Sequence, residues 1–315
     1  MIYFSTFITG FNELIEKELK RIFKDIKIEK LLDGLIIYET SSPMDKIREL
    51  NFFSNSFVLL FERENINVNF PDRLIKIVLR DFDFNLMKFG NKKSKFRVVI
   101  SKENEIVKID NNLIKDVESK ISKDKNYLLD KANPDLEFWF LIRSEKIGLF
   151  GVRITKHPDY KKVLQKGELR PELASLLCLM SEPTVTDIFL DPFAGSGSIG
   201  KARVNFPYKK IISSDIDTRD ATNMKDLKNN SIDKIVTDPP WGIFEKTIDL
   251  TNLYSKMLVE FGRVVKSKGI LVILVANKEL FESILENFKT YLKLKEKYNI
   301  LVSGKKAGVY KISKI

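Results

Sequence analysis

The stretch Asp233-Lys234-Ile235-Val236-Thr237-Asp238-Pro239-Pro240-Trp241-Gly242 ends an apolar run in a carboxylate, two prolines and an indole. Each proline fixes φ and removes a backbone donor, which leaves nearby carbonyls free to accept. A planar exocyclic amine presents two N–H donors. Asp238 and the Pro239 carbonyl can take both and aim the nitrogen lone pair at an electrophile, while Trp241 stacks on the ring that bears the amine. The plainer alternative is a rigid turn with Trp241 packed inward.

A second constellation lies upstream. Asp191-Pro192-Phe193-Ala194-Gly195-Ser196-Gly197-Ser198-Ile199-Gly200 starts where a hydrophobic strand is predicted to end. Glycines around a serine let the backbone approach a ligand and turn sharply into a helix. Gly195, Gly197 and Gly200 copy the spacing of a dinucleotide fingerprint, so an NAD site has to be weighed. A carboxylate at Asp191 would repel a pyrophosphate but suits the ammonium-bearing methionine part of S-adenosylmethionine. Asp215, in Ser213-Ser214-Asp215-Ile216-Asp217, follows Asp191 by 24 residues, again at a strand end. An acid there accepts hydrogen bonds from ribose hydroxyls.

These loops need a sheet to hold them. From residue 171 the pattern alternates: helix 171–180, strand 186–190, helix 196–205, strands 210–214 and 232–237, helix 246–265. Strand 270–275, helix 278–288 and strands 298–303 and 307–313 complete it. Residues 270–275 are apolar throughout, as in a strand buried on both faces of a parallel sheet. The prediction is an α/β, doubly wound, Rossmann-like domain over 171–315, with its ligand site at the carboxyl ends of the strands.

The first half reads differently. Residues 1–66 suggest a small α+β, ferredoxin-like domain: strand 2–8, helix 11–23, strand 34–39, helix 43–51 and strand 56–61. Residues 67–155 suggest a second α+β domain with helix 71–79, strand 96–100 and a helix from Asn111 capped by Asp110 or Asn111. A hairpin of 136–142 and 147–154 turns around Arg143-Ser144-Glu145-Lys146. Residues 156–170 form a polar linker, in which the lone His157 reads as an ordinary surface residue.

The 315 residues, 43% hydrophobic and 31% charged, are enough for two or three domains with real cores, and most of the 23 Phe belong in them. The net charge of +11 favours a polyanionic partner through steering and counterion release; a solvated, Lys-rich surface is the competing explanation. Lys92, Lys93, Lys95 and Arg97 lie in a stretch, 88–97, without an acidic residue. They are candidate phosphate contacts, or else a solvated basic turn. One cysteine, Cys178, excludes an internal disulfide and reads as a buried small hydrophobe; with one histidine it leaves no ligand set for a structural zinc. No apolar run reaches transmembrane length and no signal-peptide pattern opens the chain, so a soluble, cytoplasmic protein without membrane or metal is expected.

Residues 186–241 resemble the Rossmann-like methyltransferases acting on adenine N6, cytosine N4 or guanine N2, marked by Asp/Asn-Pro-Pro and an aromatic. The form Asp-Pro-Phe-Ala-Gly-Ser-Gly, with Lys166-Gly167-Glu168-Leu169-Arg170-Pro171-Glu172-Leu173-Ala174, is similar to the THUMP-containing RNA guanine-N2 methyltransferases. Phe96-Arg97-Val98, the helix from 111, Asn133-Pro134-Asp135-Leu136 and the strand pair ending near Ile154 resemble a THUMP module behind a ferredoxin-like partner. The resemblance spans nearly the whole chain. It implies S-adenosylmethionine as methyl donor and RNA as partner, tRNA before rRNA, with a monomer as the expectation. It places Asp191, Ala194, Gly195 and Gly197 at the methionine end of the cofactor, with Asp215 at its ribose. Phe193 and Ile216 are further cofactor contacts, and Asp220 of Asp220-Ala221-Thr222 matches the acid near the adenine amino group. Asp238, Pro239, Pro240 and Trp241 surround the target base.

One departure stands out. Only 22 residues separate Asp215 from Asp238, too few for the helix and strand the family places there. A trimmed sheet with an abbreviated adenine pocket is therefore predicted. The expected reaction is in-line transfer of the sulfonium methyl to guanosine N2, by orientation and electrostatics. The alternatives are guanine in rRNA, an adenine or cytosine amine, and a catalytically degenerate RNA-binding protein.

Overall fold

The computed structural model describes residues 1–86, 89–155, 164, 167–242, 249–302 and 304–315. His157, Lys88, Lys166 and most of the 156–170 linker lie outside the described residues. The first half runs β1 (Ile2–Thr6), α1 (Asn12–Ile22), β2 (Lys27–Leu32), β3 (Leu35–Glu39), α2 (Met44–Arg48) and β4 (Asn55–Arg63). It continues with α3 (Asp72–Asp81), β5 (Lys95–Lys102), β6 (Glu105–Ile106), α4 (Asn111–Lys125), β7 (Leu128–Leu129), β8 (Leu136–Ile142) and β9 (Gly148–Arg153). Asp110 caps α4, its side chain accepting from the Asn112 and Leu113 amides.

Among the described residues these strands make one nine-stranded sheet in the order β2-β3-β1-β4-β9-β8-β5-β6, with β7 beside β5. The expected break at 66/67 is not seen as two sub-domains, because β4 pairs with β9, Val58 opposite Val152. Each of those strands would otherwise present an unpaired ladder of backbone donors and acceptors, and pairing satisfies both. β2 escaped the sequence reading: Lys27, Glu29 and Lys30 interrupt its apolar residues without regular alternation, and none of its residues is fully buried, as suits an edge strand.

The second half runs α5 (Pro171–Met180), β10 (Ile188–Asp191), α6 (Ser198–Arg203), β11 (Lys210–Ser213), β12 (Ile232–Thr237) and α7 (Leu250–Val264). Then come β13 (Val265–Val275), α8 (Lys278–Glu286), β14 (Leu292–Val302) and β15 (Lys305–Lys314). The strands order β11-β10-β12-β13-β15-β14, parallel as far as β13 and antiparallel beyond. Residues 214–231 hold neither helix nor strand, so β11 is the sheet edge.

Side chains secure that short segment instead. Arg219 forks onto Asp226, and Arg263 of α7 donates to the Met224 and Leu227 carbonyls, 2.8 Å each. Glu260 accepts from the Met224 amide at 2.7 Å.

The two halves share one apolar cluster that runs from Tyr3 and Leu14 to Leu176 and Val272. At its edge the Phe11 and Tyr298 rings lie 5.3 Å apart, and Lys17 pairs with Glu296 at 3.0 Å. Gly10 has φ +92°, and a Cβ there would stand 2.0 Å from the Asn299 carbonyl oxygen; only glycine permits this approach. Cys178 is buried in α5, as expected. Among the described residues no helix is long and apolar enough to cross a membrane.

Candidate active site

β10 and β12 pair in parallel, with Leu190 opposite Ile235, so their ends bring Asp191 beside Thr237 and Asp238. Asp191 is fully buried. Its Oδ1 accepts from Thr237 Oγ1 at 2.9 Å and from the Phe193 amide at 3.3 Å; its Oδ2 is buried without a partner among the described residues. Burial pushes this carboxyl up to about 7, against the pull of the two hydrogen bonds, and the charge of Asp215 adds to the rise. A buried acceptor left open in this way calls for a donor or a cation.

The glycine loop wraps over β11. The Ala194 amide donates to the Ser214 carbonyl at 2.9 Å, and the Gly195 amide to Asp215 Oδ2 at 2.6 Å. Gly195 and Gly197 have φ of +47° and +77°, and a Cβ on either would meet nothing nearer than 3.9 Å. Left-handed backbone, not crowding, requires glycine here, and open space borders the loop. Asp215 therefore does two things: it holds the loop and it faces the cavity beside it.

Trp241 turns back on the acid that precedes it. Its Nε1 donates to Asp238 Oδ1 at 2.6 Å, and its ring packs on the shared apolar cluster. This differs from an indole free to stack. Asp238 keeps a partly open surface, yet the protein around it pushes its carboxyl up to about 7. The Trp241 bond pulls the other way, and Asp191 adds a smaller rise. Tyr254, fully buried on α7, donates its hydroxyl to the Pro240 carbonyl at 3.0 Å. Among the described residues no hydrogen bond reaches the Pro239 carbonyl. Tyr254 was not anticipated: a tyrosine on the apolar face of a helix carries no signal of its target. Thr237 was overlooked for a similar reason.

Both loops open on one cavity of about 470 Å³. Phe193, Gly195 and Asp215 line one part of it, and Asp238, Pro239, Pro240 and Trp241 another. Glu168 and Leu169 contribute from the segment before α5, and Val302 and Lys305 from the β14–β15 turn. The size suits a small-molecule site. Nothing in the sequence pattern pointed to Val302 or Lys305.

Other expected residues stay apart. Ile216 is 71% exposed and Asp220 is exposed; neither lines the cavity. Asp220 Oδ1 instead accepts from the Thr222 amide and hydroxyl, at 2.8 and 2.7 Å, closing the tight turn that the short segment demands. In the basic stretch, Lys95 pairs with Asp130 at 2.9 Å and the half-buried Arg97 with Glu137 at 2.6 Å. Lys92 and Lys93 are exposed.

Residues 158–200 and 201–307 match the family described as RMKL-like, methyltransferase domain. The fold is similar to that of TrmN from Thermus thermophilus, with a TM-score of 0.75 and 18% identity over 100% of both chains. It is similar too to SMU.472, whose structure holds SAH: TM-score 0.64, 14% identity, 100% of this chain and 98% of that one. A third similar structure is described as a predicted N6-adenine-specific DNA methylase from Listeria monocytogenes str. 4b F2365. Its TM-score is 0.61, with 11% identity over 98% of this chain and 95% of that one. The second half of the chain thus has the Rossmann-like methyltransferase fold.

Proposed function

We propose that this protein transfers the methyl group of S-adenosylmethionine to the exocyclic N2 amine of a guanosine in tRNA. The observation that carries the chemistry is the meeting, on one cavity, of the Gly195–Asp215 corner and the Asp238-Pro239-Pro240-Trp241 loop. The residues present fit the cofactor. Asp215 lines the cavity and would accept from the ribose hydroxyls, and the uncrowded turn from Ala194 to Gly197 allows close approach; Asp191 Oδ2, buried behind that turn and not part of the cavity lining, is the acceptor assigned to the methionine ammonium. Bound there, the cofactor supplies an electrophilic sulfonium methyl.

The chain's own residues do the rest. Asp238 accepts one N–H of the amine and offsets the positive charge that develops on nitrogen. The Pro239 carbonyl accepts the other N–H. Tyr254 keeps the Pro240 carbonyl occupied, so the loop offers the amine one carbonyl of the two. Trp241 releases Asp238 and lies on the base, which reaches the cavity unstacked from its neighbours. RNA and guanine are supported by the resemblance of residues 166–174 and 191–197, and a polyanionic substrate by the charge of +11.

The test is incubation with labelled cofactor and unmodified total tRNA, followed by nucleoside mass spectrometry. N2-methylguanosine is the expected product. Methylated adenosine or cytidine would keep the site and overturn the base. No transfer, together with no calorimetric binding of cofactor at millimolar concentration, would favour an RNA-binding protein without activity.

A further inference from the structure

Guanine carries a carbonyl oxygen on the same edge as the amine that is methylated. On entering the cavity that oxygen leaves its water, and an acceptor buried without a partner is costly. Among the described residues that line the cavity, only Trp241 and Lys305 carry a side-chain N–H. The Trp241 N–H is engaged by Asp238 at 2.6 Å, and an indole lying flat on the base directs its N–H away from the base's edge. Lys305 is also the only cationic side chain among those residues, in company with the carboxylates of Glu168, Asp215 and Asp238.

The sheet sets Lys305 on the side of the target-base loop. It stands opposite Val302 at the tip of the β14–β15 hairpin, where Gly304 makes the turn with φ +79°. Side chains alternate along a strand, so Lys305 issues on the face of Ala307 and Val309, which belong to the apolar cluster shared by the two halves. Trp241 and Val302 pack on that same cluster. Phe193, next to the glycine loop, packs on the cluster across the sheet.

We infer that the Lys305 ammonium donates to the carbonyl oxygen of the target base, and that this contact admits guanine and refuses adenine. The inference rests on the proposed transfer to guanosine N2. With its amine on Asp238 and Pro239, adenine has no oxygen to offer, and an ammonium that gives up water without gaining an acceptor disfavours that base. The compact charge on a flexible four-carbon stem can follow the base as it enters. Lys305 is thus a residue that selects the base, while Asp238 and Pro239 hold the reacting amine.

The test is tRNA transcribed from a mixture of guanosine and 6-thioguanosine triphosphates, because a thiocarbonyl sulfur is a weak acceptor. Nucleoside mass spectrometry of the methylated products then gives the preference for oxygen over sulfur within one reaction. The unsubstituted protein should prefer oxygen. Lys305→Met should bring the preference toward unity and lower kcat/KM about 10- to 150-fold, the range for one hydrogen bond to a charged group. Lys305→Arg keeps a cationic donor and should retain the preference, with the fold of both variants checked by circular dichroism. Full kcat/KM in Lys305→Met overturns the contact. So does an unmoved preference with weaker tRNA binding and a shallower salt dependence, the mark of a phosphate contact. A raised cofactor Kd in calorimetry, the mark of a contact to the methionine carboxylate, overturns it as well. N2-methylguanosine with an unmoved preference rejects Lys305 alone, whereas methyladenosine or no product from the unsubstituted protein rejects the proposed reaction and the contact with it.

Discussion

Trp241 Nε1 holds Asp238 Oδ1 at 2.6 Å, so the ring suited to stack on a base occupies the oxygen that the base's amine needs. Arrival of the amine exchanges one N–H donor for another, and the half-buried carboxylate is partnered both before and after. Removing the donor should therefore be felt in protonation. Trp241→Phe keeps a stacking ring but deletes the bond that lowers the Asp238 pKa. The acidic limb of its kcat/KM–pH profile, which reports the free enzyme, should move to higher pH than that of the unsubstituted protein. Trp241→Ala also loses the ring and should raise KM for RNA about 5- to 150-fold, the range for one base stacked on an aromatic. An unchanged pH profile for Trp241→Phe would refute the coupling.

Asp238→Ala should reduce methyl transfer about 10²- to 10³-fold, the scale of losing one preorganised electrostatic partner of the transition state. Cofactor affinity, measured by calorimetry, should change little. Equal losses in both would show that Asp238 serves the cofactor and not the amine.

Asp191 links cofactor binding to pH. Its carboxyl sits near 7 through burial, and a bound ammonium would favour the ionised form. Affinity for S-adenosylmethionine should rise with pH through about 7 and then level off. Below that point binding should release protons, measurable by calorimetry in buffers of different ionisation enthalpy. The same shift bears on stability. A folded-state pKa above the unfolded one contributes stability that is full at low pH and lost as pH rises through about 7. Asp191→Asn should therefore raise Tm relative to wild type at about pH 8 and show no such gain at about pH 4, while weakening cofactor binding.

Tyr254→Phe leaves the half-buried Pro240 carbonyl without its donor, a loss of about 1 kcal/mol in unfolding free energy. Its functional mark should be in kcat, lowered about tenfold by a misplaced loop, with cofactor Kd nearly unchanged. A variant with reduced stability and full kcat would make Tyr254 purely structural.

Arg263→Ala removes the ties to the Met224 and Leu227 carbonyls and to Asn229. Hydrogen exchange should quicken across 214–231. Cofactor Kd should rise more than kcat falls at saturation, because the segment borders Asp215 and not the target-base loop. Unaltered exchange would mean that the Arg219–Asp226 pair suffices.

Much of this architecture was legible because its signals are local. Helical spacing from Phe11 to Phe23, the all-apolar run at 270–275 and the Pro-Pro-Trp and Gly-Ser-Gly turns are backbone preferences written in neighbouring residues. The shortening between Asp215 and Asp238 was legible too, since chain length alone excludes a helix and a strand there, and 214–231 contains neither. β2 was hidden because an edge strand with mixed exposure has no clean alternation.

By itself the sequence determined which residue types stand at the strand ends, and therefore that Asp191, Asp215 and Asp238 could meet. Only tertiary structure decided what each one faces. Parallel pairing of β10 with β12 put Thr237 on Asp191, and α7 brought Tyr254 to Pro240 and Arg263 to the short segment. The β14–β15 turn closed the cavity with Val302 and Lys305. The physical reason is that burial and hydrogen-bond partnership are properties of elements distant in sequence. They fix which carboxylate oxygen is left open and where its pKa settles, and at Asp191 and Asp238 that is where the proposed chemistry resides.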